Sequence, residues 1–195
     1  MADKTSDTAS QKWNLNSMSV LEVVRDNIVV QELTEYSEWA AKGIGELMPH
    51  LDPSFSSEPT ARDLLGDITS SPSHAQLIAI SRELALARDP DEQRSGRIIG
   101  ATTLSMVMGA GFGRRGEMED VIVDPAARGR GIGGMLLEAT DRWCESKGLS
   151  FLMFVTEAHR PGAIRMYEKW GAERVTDGTN NVEGILYRKD YPQVA

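Results

Sequence analysis

Residues 124–134 read Asp-Pro-Ala-Ala-Arg-Gly-Arg-Gly-Ile-Gly-Gly and lead straight into an apolar pattern with helical spacing. Glycines keep Cβ atoms clear of the main chain, and the first turn of a helix offers unpaired N–H groups at the positive end of its dipole. Such a loop suits an anion, a diphosphate above all, provided a strand precedes it and a helix follows. Both are present in the pattern: 119–123 is the β-branched run Glu-Asp-Val-Ile-Val, and Ile132, Met135, Leu136, Ala139 and Trp143 recur at helical intervals. Gly129, Gly131, Gly133 and Gly134, beside Arg128 and Arg130, are more than a flexible turn needs.

Two other phosphate-binding loops compete for this stretch. Gly129, Gly131 and Gly134 satisfy G-x-G-x-x-G, and Glu157 follows about 20 residues on, where a dinucleotide fold keeps its ribose-binding acid. That fold runs its strand almost directly into the first glycine, whereas residues 124–128 intervene here, and too little chain follows Glu157 for the remaining parallel strands. A Walker-type loop is excluded, because no glycine between 129 and 134 is followed by lysine.

With these residues in place, the chain resembles the GNAT acetyltransferase superfamily. Arg128, Gly131 and Gly133 match its acyl-CoA loop, Arg/Gln-x-x-Gly-x-Gly/Ala. Residues 163–172, Ala-Ile-Arg-Met-Tyr-Glu-Lys-Trp-Gly-Ala, resemble its Ala-x-x-x-Tyr-x-x-x-Gly-Phe helix. Arg160 and Ala172 stand where many members carry Asn and Phe. The resemblance implies an α/β (α+β) fold: a mixed, mostly antiparallel twisted sheet of roughly six or seven strands, with helices on both faces. The strands ending in Val123 and Val155 would run parallel and splay apart, so that acetyl-CoA, as co-substrate, enters the wedge. Its arm would pair with the main chain of Val121, Ile122 and Val123, because parted strands leave amide groups in need of partners. Its phosphates would lie on Arg128, Gly129, Arg130, Gly131, Ile132, Gly133 and Gly134, with Arg160 nearby. The implied activity is N-acetyl transfer to a primary amine by direct attack in a ternary complex. The competing readings are a non-catalytic acyl-CoA-binding or regulatory module and, behind it, a dinucleotide-binding protein.

Acyl transfer makes its own demands. An alkyl amine with a pKa near ~10 is mostly ammonium at neutral pH, so a base must take a proton before nitrogen attacks. Glu117 and Glu119 share one strand face by period-two alternation, while Asp120 points the other way unless a bulge intervenes. Glu119 is the first candidate base and Glu117 the second, directly or through water; His159 is a weaker one. Tyr167 is the candidate acid, since a phenol with a pKa of about 10 stays protonated and can serve a departing thiolate. A main-chain N–H in 121–123 is the expected oxyanion donor. Cys144 sits mid-helix, and direct transfer needs no enzyme nucleophile. His50, His74 and His159 lack ligand spacing and no cysteine pair exists, so no metal site is expected.

The elements that must hold these groups follow from the pattern. Strands are expected in 23–33, 75–80, 98–107, 119–123, 149–155, 174–175 and 185–188. Helices are expected in 34–47, in 60–68 with Thr60 as its N-cap, in 132–147 and around Tyr167. Residues 88–96 read as a hairpin connection. Residues 109–116 read as a glycine-rich turn edging the acceptor pocket, with Arg114 and Arg115 as solvated or anion-holding cations. With 195 residues and 41% apolar composition the chain suits one domain. Its division is a polar, partly disordered extension over 1–26, the acetyltransferase domain over 27–190 and a tail over 191–195.

A net charge of −8 argues against nucleic-acid and anionic-membrane surfaces and favours a cationic amine. The expected acceptor is a small-molecule amine or a peptide or protein amine, with homodimerisation left open. One cysteine, no leader-like start and no apolar run of ~20 residues make the cytoplasm the expected location.

Overall fold

The computed structural model describes residues 21–54, 62–84, 90–175 and 184–192 in full, and the backbone of 57–61. Eight strands among them form one sheet in the order β1-β2-β3-β4-β5-β6-β8-β7. β1 (Val23–Arg25) and β2 (Ile28–Leu33) form a hairpin, where one continuous strand region was expected. The break falls at Asp26, whose φ of 52° is a turn conformation that Asp tolerates. β3 (His74–Ser81), β4 (Arg97–Gly109) and β5 (Gly113–Val123) continue the antiparallel meander. β6 (Phe151–Glu157) joins β5 in parallel, and β8 (Gly184–Asp190) lies antiparallel between β6 and β7 (Glu173–Arg174).

Helices cover both faces. Against one lie α1 (Glu38–Leu47) and α2 (Ser57–Ser70), which bury Ala40, Ala41, Ile44, Leu47 and Leu65 on Ile78, Ile98, Ala101 and Ile122. Against the other lie α4 (Ile132–Lys147) and α5 (Pro161–Lys169), with Leu136, Trp143, Tyr167 and their neighbours packed on Leu77, Leu104, Met118, Leu152 and Tyr187. The alternation along the central strands therefore feeds two cores. No helix among the described residues is long and apolar enough to cross a membrane.

Several expected boundaries move. α2 begins at Ser57, so Thr60 lies inside it and is not its cap; the side chain of Thr60 is outside the described residues. The connection from β3 to β4 holds a short helix, α3 (Pro90–Ser95), where a plain loop was expected; Pro90 suits a first helical turn, and Asp91 and Glu92 follow at its positive end. β4 and β5 run almost to the tip of their hairpin, which puts Arg114 and Arg115 on a strand and not in a turn. The folded unit also claims residues assigned to its flanks: Leu21 and Val23 are core residues, and Tyr191 is buried with its hydroxyl donating to Asp141 at 2.8 Å. The remainder of the expected extension and tail, 1–20 and 193–195, lies outside the described residues.

Candidate functional site

The centre of the sheet comes apart where the glycine loop begins. β5 and β6 pair only through Arg115↔Phe151, Gly116↔Leu152 and Glu117↔Met153. Beyond these, residues 118–123 and 154–157 have no ladder between them, and the gap is the wedge expected between the strands ending at Val123 and Val155. Two cavities open on it. One, of about 1090 Å³, is lined by Val121, Ile122, Val123, Arg128, Gly129, Gly131, Gly133 and Gly134. The other, of about 540 Å³, is lined by Glu117, Glu119, Asp120, Met153, Glu157 and Arg115. They meet at shared residues, among them Val121, Arg160, Ala163 and Tyr167.

Asp124 fixes the entry to the glycine loop. Its buried carboxylate accepts from the Ala126 N–H at 2.8 Å and pairs with Arg97 at 3.0 Å, which starts the short 3₁₀ turn Pro125–Ala127. Arg128 leaves that turn with Nε donating to the Val123 carbonyl at 3.1 Å. Gly129 and Gly131 then adopt φ of 81° and 77°, conformations that favour glycine, and a Cβ on either would meet open space. Gly131 caps α4 without any side-chain acceptor, and the first helical hydrogen bond is Met135 N–H to the Gly131 carbonyl at 3.1 Å. The N–H groups of the first turn therefore stay open toward the cavity, at the positive end of a 16-residue helix.

Not every loop residue assigned to the anion is placed for it. The Arg130 side chain turns away and pairs with Glu83 at 2.9 Å, outside the residues lining this cavity. Glu83 is held below the usual carboxylate range by hydrogen bonds from Asn27 and Arg130. Gly133 has a packing neighbour: a Cβ there would press on the Met166 thioether, where α4 meets α5. Ile132 is a core residue at 1% exposure that also lines the cavity. Arg160 does not point freely at either cavity, since its guanidinium donates to Glu157 and to the Leu51 carbonyl, tying the start of α5 to the turn after α1. Sequence reasoning missed Arg25, Arg165 and Lys169, which also line the larger cavity. They come from β1 and α5, and no local motif marks them.

Tyr167 sits on α5, which Pro161 starts in its first turn. Its ring packs on Phe154 at a centroid distance of 4.5 Å and on Tyr187 at 6.0 Å. The hydroxyl has no hydrogen-bond partner among the described residues, although the side chain lines both cavities. Burial pushes its pKa up to about 12, with Arg160 partly opposing, so the phenol keeps its proton throughout the physiological range. Cys144 is buried and its thiol is likewise pushed up to about 12 by burial, which makes it inert as a nucleophile. His159 is exposed beside Glu157, at 3.5 Å.

The candidate bases are separated by their partners. Glu117 is engaged by Arg115 at 3.0 Å. Glu119 is exposed, and its carboxylate has no partner among the described residues. Arg114 bonds to the Lys147 carbonyl at the far end of α4, so of the two arginines only Arg115 reaches the smaller cavity. The strand does carry the bulge that alternation would not reveal. Ala101 pairs with Ile122 and Thr103 with Glu119, leaving Thr102 opposite both Asp120 and Val121. Asp120, expected on the other face, consequently lines the same cavity as Glu117 and Glu119.

Comparison with known proteins agrees with this architecture. The profile of the Acetyltransferase (GNAT) family matches residues 56–172, and the chain belongs to that family. The fold is similar to a ribosomal-protein-S5-alanine acetyltransferase from Vibrio fischeri, with a TM-score of 0.65 at 13% identity over 87% of this chain and 96% of that one. It is similar also to Arabidopsis thaliana NAA60 bound to a bisubstrate analogue, with a TM-score of 0.62 at 13% identity over 84% and 99% of the two chains. In sequence, it is 33% identical over 79 residues to an IAA acetyltransferase of Azospirillum brasilense, which covers 40% of this chain and half of that protein. A mycothiol acetyltransferase of Rhodococcus erythropolis is 36% identical over 59 residues, 30% of this chain and a fifth of its own length.

Proposed function

We propose that this protein is an acetyl-CoA-dependent N-acetyltransferase that acts on a primary amine by direct attack in a ternary complex. The observation that carries the reading is the parting of β5 from β6 immediately past Glu117↔Met153, with two cavities of opposite character meeting at Tyr167. The larger one fits coenzyme A on the chemistry of its lining: Gly129, Gly131 and Gly134 leave room against the main chain, and the first turn of α4 offers unpaired N–H groups. Arg128, Arg165 and Lys169 add positive charge, and no carboxylate among the described residues lines it. Acetyl-CoA, when bound, supplies an acetyl thioester. NAA60, a neighbour in fold, has been captured with a bisubstrate analogue, which accords with a ternary complex here.

The residues of the chain then have distinct tasks. Main-chain groups of 121–123 that face away from β4, left without a partner strand on the β6 side, offer partners for an amide-bearing arm and an N–H for a developing oxyanion. A carboxylate of β5 takes the ammonium proton. Alternation nominates Glu119 and then Glu117, and the ion pair with Arg115 leaves Glu117 the less available of the two. The Tyr167 hydroxyl holds its proton near the junction of the cavities and can give it to a departing sulfur. The amine side is rich in carboxylates, which favours a cationic acceptor over an anionic one. A small-molecule amine or a peptide amine meets that description.

Release of free thiol from acetyl-CoA over a panel of amines tests the activity, with calorimetric titration of acetyl-CoA, NAD and ATP beside it. Thiol release together with selective heat from acetyl-CoA is expected. Acetyl-CoA binding with no transfer to any amine would leave the acyl-CoA-binding module, and preferential heat from NAD would return the dinucleotide reading.

A further inference from the structure

We propose that Arg160 is a strap across the neck between the two cavities, and that this strap sets which acyl group is transferred, admitting acetyl and turning away longer chains. The inference rests on the acyl-transfer reading above and adds a selectivity that neither the glycine loop nor the carboxylates of β5 supply.

Among the described residues, five line both cavities: Leu51, Val121, Arg160, Ala163 and Tyr167. An acyl group moving from a thioester on one side to an amine on the other crosses where the cavities join, so these five meet the transferred group. They come from opposite layers of the fold. Leu51 follows α1 on one face of the sheet, Ala163 and Tyr167 belong to α5 on the other, and Val121 lies on β5 where it has left β6. Arg160 joins the layers. Its Nη2 donates to the Leu51 carbonyl, and its Nε donates to Glu157 at the end of β6, at 2.5 Å. The Leu51 carbonyl is within reach because it lies just past the 3₁₀ turn Met48–His50, where carbonyls run out of helical partners.

Helix physics gives no reason for an arginine at this position. Arg160 is the N-cap of α5, and its side chain makes no cap bond. The N-cap favours Ser, Thr, Asp or Asn, whose oxygen accepts from first-turn N–H groups, whereas a guanidinium has only donors. Its charge also sits at the positive end of the helix dipole. Arginine therefore forgoes a cap and adds a repulsion, and the bridge from Glu157 to Leu51 is what the side chain does instead. Local rules of this kind are typically broken where function asks for it. With 29% of its side chain exposed, Arg160 is a wall of the neck and not a freely solvated cation.

The consequence is one of size. An acetyl group ends in a single methyl, and every further methylene must find room among Leu51, Val121, Ala163 and the arginine stem. A wall pinned at both ends yields less than a loose side chain, so a longer acyl chain is rejected at the neck. Breaking the bridge frees the stem and the turn after α1, and the limit on chain length goes with it.

The test measures kcat/KM with acetyl-, propionyl- and butyryl-CoA, using the best amine of the panel, in the wild type, R160S and R160M. R160S shortens the side chain and supplies a cap oxygen; R160M keeps most of the length and can make neither bond. The wild type is expected to prefer acetyl over propionyl about tenfold or more, and both variants to narrow that preference to within about threefold. Acetyl-CoA affinity by calorimetry stays within about twofold of wild type in both, so the change lies in discrimination and not in overall binding. Butyryl-CoA affinity relative to acetyl-CoA rises about fivefold in the variants, a readout that needs no turnover. R160S melts within about 2 °C of the wild type, because its new cap offsets the lost bridge. A wild type that uses butyryl-CoA as well as acetyl-CoA, or an R160S or R160M that keeps the wild-type preference, overturns the strap and leaves the transferase reading standing. A wild-type chain that passes no acyl group to any amine takes down both.

Discussion

The two cavities on either side of the parted strands are built by different means. Among the described residues the larger is lined by Arg25, Arg128, Arg160, Arg165 and Lys169 and by no carboxylate, while the smaller is lined by Asp52, Glu117, Glu119, Asp120 and Glu157 against Arg115 and Arg160. In a chain of net charge −8 this is a separation of charge, one side basic and the other acidic, as the proposed coenzyme A and cationic amine would require. The larger cavity offers a ligand the main-chain N–H groups of one continuous loop. The smaller one relies on side chains from β5, β6, α5 and the turn near Leu51, which the fold and not one loop brings together. Backbone sites are general to a family, and side-chain sites specify a member.

The sharpest way to break this division is at the residue both cavities share. Tyr167→Phe removes one oxygen that no described residue bonds, so the fold should be kept and the melting temperature unchanged within about 1 °C. Loss of the proton donor is expected to lower kcat about 100-fold, with acetyl-CoA affinity within twofold. Stopped-flow or steady-state thiol release checks the first, and calorimetry the second. A kcat within threefold of wild type would make Tyr167 a packing residue of the Phe154 cluster and nothing more.

Next in size come the glycines, which separate conformational need from ligand need. Gly131→Ala forces a side chain into φ of 77°, at about 1 kcal/mol, or a fall of about 2–4 °C in melting temperature. Gly134→Ala has open space around it and lies in the first turn of α4, so stability should rise by a few tenths of a kcal/mol to about 1 kcal/mol. Both place a methyl group toward the cavity, and both are expected to weaken acetyl-CoA binding about tenfold. Opposite shifts in stability with the same direction in affinity would identify the loop as a ligand surface. Arg128→Ala should cost a further several-fold in affinity, with a weaker salt dependence than wild type; an unchanged affinity would move the phosphates toward Arg165 and Lys169.

The fate of individual residues shows what could be read in advance. Loop 128–134, its strand and its helix were legible because glycine spacing and apolar period encode backbone shape directly. So was Tyr167, through helical register and resemblance. Asp120 was not: alternation assigns it to the opposite face, and nothing in Glu-Asp-Val-Ile-Val marks an inserted residue, since the bulge is a property of the pairing with Ala101 and Thr103. Arg130 was misjudged for a similar reason. Its neighbour in space, Glu83, follows β3, far away in sequence. Arg25, Arg165 and Lys169 were missed because a cation joins a site through tertiary placement and has no spacing of its own. The hairpin at Asp26 and the helix at Pro90 were local errors, where a turn residue and an acidic first turn were present but short elements gave little periodicity.

The smallest expected effect concerns stability, and it asks whether the acidic cavity is truly withdrawn from water. Burial raises the Asp120 carboxyl above its ordinary value, so the folded state disfavours its charged form. Well below pH 4, under the ordinary carboxylate range, both folded and unfolded chains hold the proton and no penalty exists. As pH rises, the unfolded chain gives up this proton first, the folded chain holds it longer, and stability contributed by the neutral form is lost until the folded carboxyl has ionised too. Asn never ionises and tolerates a left-handed φ about as well as Asp. D120N should therefore be more stable than the wild type at pH 7–8, with the difference closing toward pH 4. Water still reaches one side of the group, which holds the gain to less than about 1 kcal/mol. Thermal melts of both proteins across that range measure it. Parallel curves would mean that Asp120 is as solvated as Glu119 and that the acidic cavity lies open to water at the bulge of β5.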